Sequence, residues 1–124
     1  MADYVGTTVN GAGSFPVEVK TAAYTIVAGQ DQNKIFTNTG ASGEVTLSLP
    51  AATVGQKYCF YVNAAQEIRV DPNGTETIGL PSSGVQQAAG AYLTANAAGE
   101  YLEIECIIAG TWTPKTYSGT WTAV

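Results

Sequence analysis

Residues 44 to 49, Glu-Val-Thr-Leu-Ser-Leu, lie between the turn-formers Thr39-Gly40-Ala41-Ser42-Gly43 and Pro50, and they alternate strictly. Val45, Leu47 and Leu49 fall on one side, Thr46 and Ser48 on the other. A period of two means a strand with one buried face. The same grammar returns along the chain, at Tyr24 to Val27, Lys34 to Asn38, Lys57 to Val62, Glu67 to Asp71, Thr75 to Leu80, Ala91 to Ala95 and Glu100 to Ile108. Turn-rich punctuation such as "AGQDQN", "PAATVG", "DPNG" and "NAAG" separates them. No segment sustains a helical period. Short strands at short intervals predict an all-β chain, an antiparallel β-sandwich or jelly-roll-like domain over residues 21–124.

Residues 1–20 are read separately, as an extended N-terminal arm. They carry Gly6, Gly11 and Gly13, place Pro16 directly after Phe15, and show no sustained period. Tyr4, Val5, Val9 and Phe15 give the arm more apolar side chains than a solvated linker needs. Either it lies on a partner surface through them, or it is a frayed terminus. Near the other end, "GTWT" occurs at Gly110 to Thr113 and again at Gly119 to Thr122. A hairpin turning within Lys115 to Ser118 would set Trp112 opposite Trp121, either as a packed cross-strand pair or as a platform for a sugar or a partner.

Chemistry is scarce in this sequence. Without a single His, imidazole general-base catalysis, a Ser-His-Asp triad and a His-ligated metal are excluded. The Asp71 to Glu76 stretch, "DPNGTE", lacks the carboxylate spacing of a calcium loop and reads as an Asp-Pro-Asn-Gly turn. Glu103 and Glu105 share a strand face, but no aromatic cluster accompanies them as a glycosidase cleft would require. Cys59 and Cys106 sit in apolar runs and are expected to be buried free thiols; a disulfide between them is the alternative. No catalytic residue, cofactor or metal is expected. A net charge of -5 excludes the counterion-release mode of nucleic-acid binding. There is no apolar run of membrane-spanning length and no signal-peptide pattern, so a soluble product made in the cytosol, with no membrane partner, is expected.

One ordered set of residues resembles a module of tailed-bacteriophage virion proteins: Tyr24, then Asn38-Thr39-Gly40, the alternating strand Val45 to Leu49, Leu49-Pro50-Ala51-Ala52, Gly55 and the aromatic strand Tyr58 to Val62. The resemblance extends over about Thr21 to Val124. It implies a capsid decoration (cement) protein: a non-enzymatic homotrimer on the virion surface that clamps neighbouring major capsid subunits, with its arm reaching over them. A small tail or fibre-tip component that binds a host surface or glycan is the alternative. The chain begins at Met1 and ends directly after the module, which fits a free-standing clamp better than a fibre with a shaft. Bulky residues of both parities in Tyr58 to Val62 suggest that both faces of that strand need cover, hence a homo-oligomer.

Overall fold

A computed structural model describes residues 15–124 as an all-β sandwich of two sheets. Its strands are β1 (Val17–Val19), β2 (Tyr24–Thr25), β3 (Ile35–Thr37), β4 (Val45–Ser48), β5 (Lys57–Tyr61), β6 (Ile68–Asp71), β7 (Thr77–Ile78), β8 (Leu93–Ala95), β9 (Tyr101–Glu105), β10 (Thr111–Ser118) and β11 (Thr122–Ala123). Sheet order is β1-β3-β5-β9-β10-β7 in the first sheet and β11-β8-β6-β4-β2 in the second.

From β1 to β6 the chain alternates between the sheets, so each pass lays one new strand beside the previous one in both. Neighbouring strands therefore run the same way. β1 pairs with β3, β3 with β5, β2 with β4 and β4 with β6, all in parallel. The return half then closes on this stack with antiparallel strands, β8 against β6, β9 against β5, β10 against β9 and β11 against β8.

This corrects the expected antiparallel, jelly-roll-like order, because five of the nine strand pairings are parallel. The short turns between early strands do not make hairpins. They are corners that carry the chain from one sheet to the other, and a whole pass through the opposite sheet supplies the long connection that parallel neighbours require.

Alternation decides which residues meet between the sheets. Val45 and Leu47 of β4 are matched in register by Ile68 and Val70 of β6, and all four are buried. From the first sheet, Phe36 and Phe60 are register partners whose rings stack with centroids 6.0 Å apart, and Leu102 continues the row. Tyr58 packs on Trp112 at 5.6 Å. Cys59 and Cys106 are both buried and free.

The terminal hairpin does not form. Thr111 to Ser118 is one strand that crosses Lys115 with a register shift, and Thr113 pairs with Glu105 rather than with Thr120. Pro114 sits just past the point where β7 ends, at a sheet edge where a missing N–H is tolerated. Trp112 is fully buried, and Trp121 is only 4% exposed, its Nε1 donating to the carbonyls of Tyr101 and Ser118. At the other end of the chain, Val17–Val19, read as part of the arm, is an edge strand on β3.

A parallel stack has to turn at every rung, and each turn strands backbone groups. At the β3–β4 corner the problem is solved by Asn38, which has no exposed surface. Its Nδ2 donates to the carbonyls of Ala64 and Gln66, at 3.1 Å each, and its Oδ1 accepts from the Asn63 and Ala64 amides at 2.9 and 3.0 Å. One side chain thus stitches its own corner to the β5–β6 corner of the next rung. Replacing it with Ala would remove four hydrogen bonds and leave the Asn63 and Ala64 amides and the Gln66 carbonyl without them, while the Ala64 carbonyl keeps the Gln66 amide. Asn38→Ala is expected to lower the unfolding free energy by about 3 kcal/mol or more, and Thr39→Ala, next along at an exposed position, by well under about 1 kcal/mol; urea denaturation of the two variants measures both.

Candidate interaction surfaces

Other corners use the same device. Glu100 is buried, accepting at Oε1 from the Asn96 and Ala97 amides (3.0 and 2.8 Å) and at Oε2 from the Thr120 amide (2.7 Å). That ties the β8–β9 turn to the β10–β11 turn. Gly119 lies against it with φ +79°, where any Cβ would overlap the Glu100 side chain. The Glu76 carboxylate accepts from the Ala52 amide at 2.9 Å and ties the β6–β7 loop to the β4–β5 loop.

Asp31 holds the β2–β3 loop. It is 1% exposed, accepting from the Tyr24 hydroxyl at 2.7 Å, the Val27 amide at 2.8 Å and Lys34 Nζ at 2.8 Å. Lys34 also reaches Glu18 of β1 at 3.1 Å, and Lys20 pairs with Glu18 at 3.3 Å while lying over the Tyr24 ring. This chain of charges closes the open side of the sandwich between β1 and β2. Burial works to raise the Asp31 pKa, but the hydrogen bonds from Lys34, Val27 and Tyr24 outweigh it and hold the carboxyl below its ordinary value.

Other acids are neighbours of cations. Glu103 lies 3.7 Å from Lys57 and accepts from Thr116, and Glu105 pairs with Lys115 at 2.8 Å. Two like carboxylates, each with its own cation on an open sheet face, have no cleft between them of the kind a glycosidase pair flanks. Burial raises the pKa of both cysteine thiols, which stabilises the protonated, unreactive form. Burial likewise pushes the Tyr58 phenol up to about 12. Neither the Tyr58 hydroxyl nor Trp112 Nε1 has a hydrogen-bond partner among the described residues. No pocket and no metal-ligating cluster is found among the described residues.

The residues expected to bind a partner fare differently from one another. Trp112 and Trp121 are core residues, so they offer no stacking platform; the apolar ring that drew attention to them is what the sandwich interior consumes. Tyr4, Val5 and Val9 lie outside the described residues. Phe15 is 46% exposed, with Lys57 Nζ 6.0 Å from its ring centroid. The expectation that Tyr58 to Val62 needs a second copy to cover it is met inside the chain: Tyr58, Phe60 and Val62 face the core, and Cys59 on the outer face is 3% exposed, beneath the Tyr101 hydroxyl. Only Tyr61 of that strand is exposed.

Two surfaces were not legible in the alternation. One is the free edge of β1, where Val17 and Val19 are exposed. The other is the tip formed by the β4–β5 and β9–β10 loops. There the Gly55 amide donates to Cys106, the Cys106 amide to Gln56 and the Gly110 amide to Ala52, at 2.9, 2.9 and 3.1 Å. Val54, Ile107 and Ile108 project from this double loop, 63%, 52% and 68% exposed.

Because the Asp31 pKa is depressed in the folded state, its contribution is complete above the unfolded value near 3.8 and is lost as pH falls through the folded value. Asp31→Asn should therefore lower the urea midpoint at pH 7 and narrow its gap from the wild type as pH falls from about 4 toward 2; a gap that stays constant over that range would show that ionisation of Asp31 is irrelevant to the loop. No protein-family model matches the chain, and a search of curated proteins finds no significant match.

Proposed function

We propose that the chain is a non-enzymatic structural protein of a tailed-phage virion, a decoration protein that binds the outside of the capsid as a homotrimer and clamps neighbouring major capsid subunits. One observation carries the reading: the residues that give the chain its likeness to phage virion modules are those that build the corners of the stack. Tyr24 anchors Asp31, Asn38 stitches two rungs, Ala52 is tied to Glu76, and Gly55 turns the β4–β5 loop at φ +96°. The likeness therefore tracks architecture, which is what a shared structural module would preserve.

A clamp acts by mass action. Whatever binds the assembled shell and not its separated subunits stabilises the shell, with no reaction to catalyse. A scaffold that spends Asp31, Glu76 and Glu100 on its own corners and presents exposed aliphatics on loops and on one strand edge suits that work. Attachment falls to Tyr4, Val5, Val9 and Phe15, whose burial on coat subunits would offset the ordering cost of the segment that carries them.

Deleting residues 2–14 tests this, since β1 starts beyond the deletion. The expected outcome is an unchanged melting temperature for the free protein and retention on undecorated capsids weakened about tenfold or more, about 1.4 kcal/mol of binding. Equal retention of the truncated and intact proteins would remove the arm from the mechanism. Electron microscopy of intact particles separates the clamp from a small tail or fibre-tip component: density over the shell supports the first, density confined to the tail supports the second.

A further inference from the structure

Five asparagines fall within the described residues, Asn33, Asn38, Asn63, Asn73 and Asn96, and four of them are held. Asparagine is a chemically labile residue. It lasts when its side chain is locked or when the amide of the following residue is occupied, because that amide nitrogen is the group able to attack the side-chain carbonyl carbon. Asn38 is locked by its four hydrogen bonds. After Asn33 the Lys34 amide donates to the Asp31 carbonyl at 3.3 Å, after Asn63 the Ala64 amide donates to Asn38 Oδ1 at 3.0 Å, and after Asn96 the Ala97 amide donates to Glu100 Oε1 at 2.8 Å.

Asn73 has none of this protection. It heads the turn Asn73-Gly74-Thr75-Glu76 between β6 and β7, closed by the Glu76 amide donating to the Asn73 carbonyl at 3.0 Å, and Asn73, Gly74 and Thr75 are all exposed. Among the described residues neither the Gly74 amide nor the Asn73 side chain has a hydrogen-bond partner. Gly74 sits at φ +57°, a backbone conformation that selects glycine, and open space surrounds the position its Cβ would take. The demand of the turn thus places the least hindered residue directly after the exposed asparagine, whereas Lys34, Thr39, Ala64 and Ala97 follow the other four.

We infer that Asn73 is a self-modification site, at which the native protein loses ammonia and gains a carboxylate. The deprotonated Gly74 nitrogen bonds to Asn73 Cγ, the Cγ–Nδ2 bond breaks, and ammonia leaves with the proton balance restored, closing a cyclic imide between the two residues. Water then opens the ring at one of its two bonds to nitrogen. Breaking the bond to Cγ gives an ordinary aspartate; breaking the bond to the main-chain carbonyl carbon gives an isoaspartate, whose chain runs through the side chain. Nothing is oxidised or reduced, and water is the only co-reactant. The isoaspartate lengthens the main chain by one carbon inside the turn and converts the Asn73 carbonyl, the acceptor of the Glu76 amide, into a free carboxylate. Glu76 also holds the Ala52 amide at 2.9 Å and, through its own carbonyl, the Gly90 amide at 3.3 Å, so the change bears on the β4–β5 loop as well.

The site does not depend on the proposed function, and the free full-length protein is enough to test it. Folded wild type, wild type in urea and Asn73→Gln are aged at neutral and at mildly alkaline pH, then resolved by anion exchange and mapped by peptide mass spectrometry with isoaspartate detection. Asn10, which precedes Gly11 and lies outside the described residues, is read on its own peptide. The folded protein is expected to accumulate a species one charge more acidic, located at Asn73, faster at the higher pH and within about tenfold of the rate in urea, because an exposed turn needs little opening to react. Asn33, Asn38, Asn63 and Asn96 keep their amides in the folded protein, and Asn73→Gln forms no such species at that position. The isolated isoaspartyl form is expected to melt below an Asn73→Asp variant, which carries the same charge on an unaltered main chain. An Asn73 that converts only in urea, or a held asparagine that converts before it in the folded protein, would overturn the site; equal melting of the isoaspartyl form and Asn73→Asp would overturn its coupling to Glu76.

Discussion

Everything in the architecture depends on turning corners without orphaning the backbone. A hairpin returns each strand to its neighbour and satisfies most of its own donors and acceptors. A chain that steps between two sheets cannot do that, because the peptide groups at each step face neither sheet. Asn38 shows the solution most fully: an amide side chain has two donors and an acceptor oxygen with two lone pairs, and all four are used on the adjacent rung. Asp would lack the donors, Ser the reach. The aromatic ladder of Phe36 and Phe60 supplies area, but the register that lets those rings stack is set at the corner.

Strand positions were nearly all legible, since alternation at Val45 to Leu49 or Leu102 to Ile104 reports directly which residues face inward. Strand direction was not. A period of two is the same whether a strand runs parallel or antiparallel to its neighbour, and the short spacers between strands serve a corner as well as a hairpin. The misreading at the C-terminus has a similar origin: the repeated "GTWT" made a symmetrical hairpin attractive, while Pro114 inside the segment is an edge-strand signal that fits β10 as observed. The two Trp residues followed the hairpin into an exposed role that burial denies them. Val17–Val19 was missed as a strand because three residues between Pro16 and Lys20 are too few to show a period.

Of the candidate surfaces, little could be read in advance. Ile107 and Ile108 extend the apolar run of β9, and by alternation alone one of them belongs in the core with Leu102, Ile104 and Cys106. The strand stops at Glu105, Cys106 is the last residue turned inward, and both isoleucines leave the sandwich on the loop. Val54 is likewise an ordinary loop residue until Gly55 and Cys106 bring it beside them. Exposure of these side chains follows from tertiary pairing between segments far apart in sequence, which no local pattern encodes.

The inward use of acids links the corner problem to the surface. Asp31, Glu76 and Glu100 lie at the two ends of the sandwich, where loops ordinarily display their charges to water, yet each is spent on the hydrogen bonds that hold a turn. Holding the turns with Asp31 and Glu76 draws the acids of the β2–β3 and β6–β7 loops inward, and the β4–β5 loop has none. At the opposite end Glu100 is consumed in the same way, but Glu44, Glu67 and Lys20 remain outside and engaged with one another or with Arg69 and Glu18. The asymmetry between the side chains at the two ends therefore arises in part from which corners needed an acid.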